Sequence, residues 1–258
     1  MSQEIDRLVQ DLQQQGFGYI PVDAQLIANA KDAARLFIDS FNHIYSGMAL
    51  TRPGEHGPDV GIISKMDKDI KTYLHLAHDM PVLLGNKPFS PQQRECLSVM
   101  NTCRYQLETI GADVAARLDR QFGGTNFSSR VRKASRTSVP YSVSTLRFLS
   151  YPDVKEQKGA SPHFDRSFIT MHLGDTGGNL LIENKQGHWE QASPPQGSAL
   201  VFFGVKVLEL TGGKLKPSNH KSTTVRGKER TAAVMFVQAD NGYLVPSAEA
   251  EYRRFYAK

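Results

Sequence analysis

His163 and Asp165 stand two residues apart in the run SPHFDRS, and His220 follows 57 residues later in KPSNHKSTT. On a strand, residues i and i+2 point to one face. An imidazole and a carboxylate are then presented side by side, while Phe164 packs the other way. Several apolar runs separate the pair from His220, enough chain to wrap a small barrel and return. Two imidazoles and one carboxylate suit a divalent transition ion, iron(II) foremost and zinc as the alternative. Three protein ligands leave three positions open on such an iron: two for a chelating 2-oxo acid and one for O₂. No cysteine stands in these runs, in keeping with nitrogen and oxygen donors.

Arg230 comes ten residues after His220 and opens RTAAVMFVQ. A period of two puts Arg230, Ala232, Val234 and Phe236 on one face. An arginine on an apolar strand face is costly unless it meets an anion. Its fork fits a carboxylate through two hydrogen bonds. A buried Asp or Glu is one candidate; following the metal ligands at this distance, the distal carboxylate of 2-oxoglutarate is preferred. Arg147, Leu149 and Tyr151 share parity in LRFLSY. Arg147 then either contacts an anionic group of the substrate or sits on a solvated edge. Tyr151, at the end of the run, suits an aromatic filling the barrel mouth. His172 and His188 have no partners at strand or helix spacing.

The elements that must position these residues fall into two textures. Up to about residue 138 the chain reads as mainly helical. Ile5, Leu8, Val9 and Leu12 make one helical face, FGYIPV reads as a strand, and Asp23 is a candidate N-cap for AQLIANAKDAARLFIDSFNHI. Residues 49–65, rich in Gly and Pro, read as irregular. Ser90-Pro91 opens a long helix that Gly123-Gly124 ends, and the basic cluster Arg130, Arg132, Lys133 and Arg136 reads as a solvated loop. Beyond residue 138, short apolar runs alternate with turn residues. They include YSVSTLRFLSY, HFDRSFITMHL, GNLLIE, SALVFFG, VLELTGG, NHKSTTV and RTAAVMFVQ. Seven or eight strands so spaced predict a jelly roll. The expected organisation is a single unit over 1–258. It has a mainly helical part (1–138), a β core (139–240) and a C-terminal tail (241–258).

Composition bounds the rest. With 258 residues, 40% hydrophobic and 22% charged, the chain has the make-up of a soluble domain with a substantial core. No run is long and apolar enough to span a bilayer, and the N-terminus has no apolar signal core. A cytoplasmic protein is expected. Cys96 and Cys103 are too few for a disulfide framework. The net charge of +5 lacks the aromatic-interleaved basic module of a nucleic-acid binder.

In their joint order these motifs resemble the isopenicillin N synthase-like branch of the 2-oxoglutarate/Fe(II)-dependent dioxygenases. A strand ending in Tyr-Pro precedes H-x-D, as in LRFLSYP. Trp189, then SPPQGSALVFFG, matches the tryptophan, P-x-P-G turn and apolar strand. LTGGKLKPSNH matches the approach to the second histidine, and RTAAVMF the closing R-x-S strand. The resemblance implies a double-stranded β-helix core with N-terminal helices packed on it. It implies Fe(II) held by His163, Asp165 and His220, with 2-oxoglutarate held by Arg230 and helped by Tyr151. Ascorbate serves such enzymes as reductant. The implied reaction is hydroxylation or desaturation of a small molecule with O₂. Two positions depart from the pattern. The serine of R-x-S is Ala232, and a polar residue two before the tyrosine is Leu149. Each loses a contact worth roughly 1 kcal/mol. That keeps two alternatives open: an iron oxidase of the same fold that uses no 2-oxoglutarate, and a non-catalytic metal-binding barrel. Nothing in the motifs names the substrate or the oligomeric state.

Overall fold

The computed structural model describes residues 2–41, 49–50, 60–65, 71–77, 89–123, 126–134, 144–151, 159–176, 179–223, 229–239 and 248–256. Helix α1 (Ser2–Gln14) buries Ile5, Leu8, Val9 and Leu12, the predicted face. Strand β1 (Phe17–Pro21) follows, then α2 (Ala24–Phe41), where the Leu26 N–H donates to Asp23 Oδ1 at 2.9 Å. Helix α3 (Pro91–Phe122) starts on a reciprocal cap. The Gln93 N–H donates to Ser90 Oγ, and the Ser90 N–H donates to Gln93 Oε1. That arrangement satisfies two otherwise orphaned donors. Cys96 and Cys103 lie buried on α3 as free thiols.

Three expectations need correction. Residues 49–65 are not wholly irregular: Ala49–Leu50 forms β2 and Val60–Lys65 forms β3, which pairs with β4 (Lys71–Ala77). Pro53, Gly54, Gly57 and Pro58 fall outside the described residues, whereas Gly61 sits within β3 opposite His75. The basic cluster is no open loop either. Phe127–Ala134 forms α4, because the Asp119 carboxylate accepts the Phe127 and Ser128 N–H groups at its start and Phe127 is fully buried. Arg136 lies outside the described residues. VLEL is a helix, not a strand: α5 (Lys206–Leu210) buries Val207, Leu208 and Leu210.

The β elements are β5 (Thr145–Tyr151), β6 (Ile169–Asp175), β7 (Asn179–Glu183), β8 (Trp189–Gln191), β9 (Ser198–Phe203), β10 (His220–Thr223) and β11 (Arg230–Val237). They form two antiparallel sheets. The larger runs β1-β9-β6-β11-β5-β4-β3-β2 and the smaller β10-β7-β8. This is the expected jelly roll, mainly β with helices. The large sheet is extended by strands from the N-terminal part, β1 on one side and β4, β3 and β2 on the other. The C-terminal helix α6 (Ala248–Tyr256) closes the chain.

Strand parity divides the large sheet into two chemistries. Leu74, Leu76, Leu146, Phe148, Ile169, Met171, Ala233, Met235 and Val237 join α1, α2 and α3 in one apolar core. Burying apolar surface is worth roughly 25 cal/mol per Å², so this layer stabilises the packing of the helices on the sheet. The alternate residues face the smaller sheet and enclose a cavity of about 120 Å³. A β-bulge between Ala232 and Val234 on β11 adjusts the pairing with β6 inside that wall. Gly204, at the exit of β9, permits a close approach. A Cβ there would lie 2.2 Å from the Ser167 carbonyl oxygen, so only glycine lets β9 pass beside the segment that leads into β6.

Candidate metal centre

The structure brings His163, Asp165 and His220 together. Their potential ligand atoms all lie within 4.8 Å of one another. His163 Nε2 is 3.8 Å from Asp165 Oδ1, and His220 Nε2 is 3.6 Å from Asp165 Oδ2. A divalent ion draws nitrogen and oxygen ligands to about 2.1 Å, so these atoms need only a modest closure to share one ion. The donor set, two imidazoles and one carboxylate without thiolate, fits iron(II).

How the three are presented differs from the sequence expectation. His163 and Asp165 do not belong to a strand. They lie in the bent segment before β6, which meets the small sheet through the Ser222 N–H, donating to the Ala160 carbonyl at 3.1 Å, and at a bridge between His163 and His220. Each of these two residues donates its N–H to the other's carbonyl, at 3.0 Å both ways. The Asp165 carbonyl accepts the Val205 N–H at 2.8 Å. Strand-like pairing therefore reaches His163 and stops before Asp165. The two ligands still point one way and Phe164 the other, onto Tyr252 of α6. His220 opens β10 and pairs with Ile182 of β7.

Hydrogen bonds orient the ligands. His163 Nδ1 lies 2.7 Å from the Ser161 carbonyl oxygen, which holds the proton on Nδ1 and turns the Nε2 lone pair inward. His220 lies in the same relation to the Ser218 carbonyl at a longer 3.5 Å. Burial pushes the His220 imidazole below its ordinary pKa, against the opposing pull of Asp165. The neutral ring that a metal requires is thereby favoured. Thr170 Oγ1 donates to Asp165 Oδ2 at 2.6 Å, and Ser167 Oγ stands 2.8 Å from Thr170 Oγ1. Thr170→Val keeps the shape and removes the donor. We expect metal affinity to fall about tenfold, the lower end for such outer partners, as read by Co(II) titration. Unchanged affinity would assign the orientation of Asp165 to the backbone alone.

Arg230, Tyr151 and Arg147 all line the same cavity, as parity predicted. Arg230 is buried at 6% exposure, its guanidinium stacked over the Tyr151 ring at 4.8 Å from the ring centre. They are register partners on β11 and β5. Ala232 and Leu149 face each other one rung further along, within an apolar patch that also holds Tyr73 and Val234. Arg147 follows on the next rung, between the rings of Phe236 at 4.7 Å and Tyr73 at 5.3 Å. Its Nε donates to His75 Nε2.

Sequence reasoning missed several of these groups. Tyr73 and His75 belong to β4, some seventy residues upstream, and no local pattern ties them to β5. Thr170 and His172 alternate on β6 and line the cavity, so period two was the available signal. His172 faces Val234 across the sheet and stands outside the ligand cluster. His188 is exposed between β7 and β8.

Comparison with known proteins agrees with this arrangement. Residues 139–239 match the sequence profile of the 2OG-Fe(II) oxygenase superfamily. A 2-oxoglutarate-Fe(II) type oxidoreductase of Aspergillus fumigatus is 30% identical over 108 residues, which are 40% of this chain and 32% of that protein. The 2'-deoxymugineic-acid 2'-dioxygenase of Hordeum vulgare is 29% identical over 100 residues, 39% of this chain and 29% of that one. The matched region thus covers about a third of these relatives' length. Among solved structures, the dioxygenase for auxin oxidation 1 of Arabidopsis thaliana, in its binary complex with 2-oxoglutarate, superposes with a TM-score of 0.69. It is 15% identical, over 93% of this chain and 90% of that one. A full-length Neurospora crassa protein solved with alpha-KG and 5-formyluracil gives 0.67 at 18% identity, over 100% and 91%. At these identities the structural likenesses speak for the fold.

Proposed function

We propose, from a core that matches the 2OG-Fe(II) oxygenase superfamily over residues 139–239, that the chain works as one 2-oxoglutarate-dependent Fe(II) oxygenase unit acting on a small molecule. The observation that carries this reading is the convergence of two imidazoles, one carboxylate and a buried arginine on one cavity. In this reading His163, Asp165 and His220 hold the iron, and Arg230, backed by Tyr151, holds the distal carboxylate of 2-oxoglutarate. Bound Fe(II) and 2-oxoglutarate together supply a two-electron oxidation: O₂ and a substrate C–H bond go to a C–OH bond while 2-oxoglutarate goes to succinate and CO₂.

The chain's own residues bind, orient and exclude water. Asp165 brings the negative charge that two neutral histidines lack. Arg230 fixes the far end of the co-substrate, with the Tyr151 ring against its flat face. Leu149 and Ala232 make the middle of the cavity apolar. This suits the methylene carbons of a dicarboxylate and takes the place of the polar contacts absent at those positions. Desaturation would use the same centre. Ascorbate would keep the iron reduced between turnovers.

Arg147 supports an anionic group on the substrate. Two aromatic faces and the His75 acceptor hold its planar fork in one orientation, and an oriented fork suits a carboxylate. The test is succinate release with Fe(II), ascorbate and 2-oxoglutarate across a panel of small carboxylic acids and their amides. Acids are expected to accelerate succinate release over their amides. Arg147→Ala should raise KM for an accelerating acid about tenfold, the size of one charge-assisted hydrogen bond, with kcat little changed. Unchanged kinetics would remove Arg147 from the site. Oxidation of a substrate with no succinate formed would replace the whole reading by the oxidase alternative.

A further inference from the structure

We infer that the C-terminal helix α6 is a positioning element of the metal centre, acting through Tyr252 on Phe164. The inference rests on the ligand set proposed above. Phe164 is the residue between His163 and Asp165, and its ring stacks on Tyr252 with centroids 4.5 Å apart and planes 15° from parallel. The segment that carries the two ligands lies outside the sheets; its backbone meets β10 at the His163–His220 bridge and through the Ser222 N–H on the Ala160 carbonyl, and meets β11 through the Phe168 N–H on the Val237 carbonyl. Strand pairing with β10 therefore ends at His163 and does not extend through Phe164 and Asp165. Three consecutive side chains are instead held from two sides: His163 and Asp165 in the cavity, Phe164 on the helix. Rotation of this backbone would swing both ligands, and it would have to unstack Phe164 first.

Helix α6 is itself tied down close by. The Tyr256 hydroxyl donates to the Gly213 carbonyl at 2.7 Å. Ala248, Tyr252, Phe255 and Tyr256 pack on Val205 and Leu208, both fully buried. Val205 is the residue whose N–H donates to the Asp165 carbonyl. The helix thus braces the ligand segment twice, at the Phe164 ring and behind the Asp165 backbone. His163 has the most to gain, since 44% of its side chain is exposed while His220 is buried.

The test is Co(II) titration of the metal-free full-length protein, followed by visible absorption, alongside the melting temperature of each metal-free variant. Tyr252→Phe keeps the ring and should bind Co(II) as the wild type does. Tyr252→Leu keeps an apolar side chain without the ring. It should weaken Co(II) binding roughly three- to tenfold, the size of one aromatic pair's contribution. A merely structural helix would lower the melting temperature and leave affinity unchanged. A folded Tyr252→Leu protein with wild-type affinity overturns the inference, and so does a Phe variant that loses as much as the Leu variant. If Tyr252→Leu does not fold, Phe164→Leu decides by the same criterion. Failure of the wild type to bind Co(II) would instead overturn the ligand set itself.

Discussion

Asp165→Ala is expected to abolish divalent-metal binding and, with it, the proposed 2-oxoglutarate turnover. Asp165 supplies the only carboxylate of the three-ligand cluster, and it is buried at 9% exposure. Two neutral imidazoles alone would leave a doubly charged ion in a cavity that also receives Arg230 and Arg147. An uncompensated charge in such a place is strongly unfavourable. The loss should exceed about a hundredfold in affinity, beyond what removal of an outer partner costs. Folding should survive, because the Asp165 carbonyl still accepts from Val205 and the His163–His220 bridge does not use the carboxylate. Metal titration together with circular dichroism checks both halves. A folded Asp165→Ala protein that keeps tight metal binding would remove Asp165 from the ligand set.

Arg230→Leu separates co-substrate from metal. The guanidinium is buried and held flat against Tyr151. Losing a charge-assisted pair to a carboxylate in that setting costs about 2–3 kcal/mol. The expected outcome is a rise in the KM for 2-oxoglutarate on the order of a hundredfold, with Co(II) affinity unchanged. Arg230→Lys should recover part of the loss, since it restores charge but not the fork. The apolar pair Leu149–Ala232 raises the stakes of this substitution: with fewer polar contacts in mid-cavity, more of the co-substrate's binding falls on Arg230. An unaltered KM would show that 2-oxoglutarate is held elsewhere or not used.

Much of this architecture was legible in the residues because strand parity is local. Arg230, Ala232, Val234 and Phe236 line the cavity while Ala233, Met235 and Val237 join the helical core, as alternation required. The Asp23 cap and the Ser90-Pro91 helix start were equally readable, since such signals are written within a few residues. The three candidate ligands converge, though for a reason only partly as expected. Their common direction is set by the bridge to His220 and the Phe164–Tyr252 stack rather than by a strand. VLEL misled because a single turn of helix buried on several sides shows neither helical nor strand alternation. The groups around Arg147 were out of reach for a different reason. Tyr73 and His75 meet it through the pairing of β4 with β5, a long-range register that no nearby spacing encodes.

The central claim is that one cavity holds a metal at one end and 2-oxoglutarate between that metal and Arg230. Its most direct test is an anaerobic calorimetric titration of 2-oxoglutarate into the Fe(II)-loaded protein and into the metal-free protein. The account predicts one equivalent bound to the loaded protein, far weaker binding without metal, and loss of most of the affinity in Arg230→Leu. Equal binding with and without Fe(II), or no binding to the loaded protein, would contradict it.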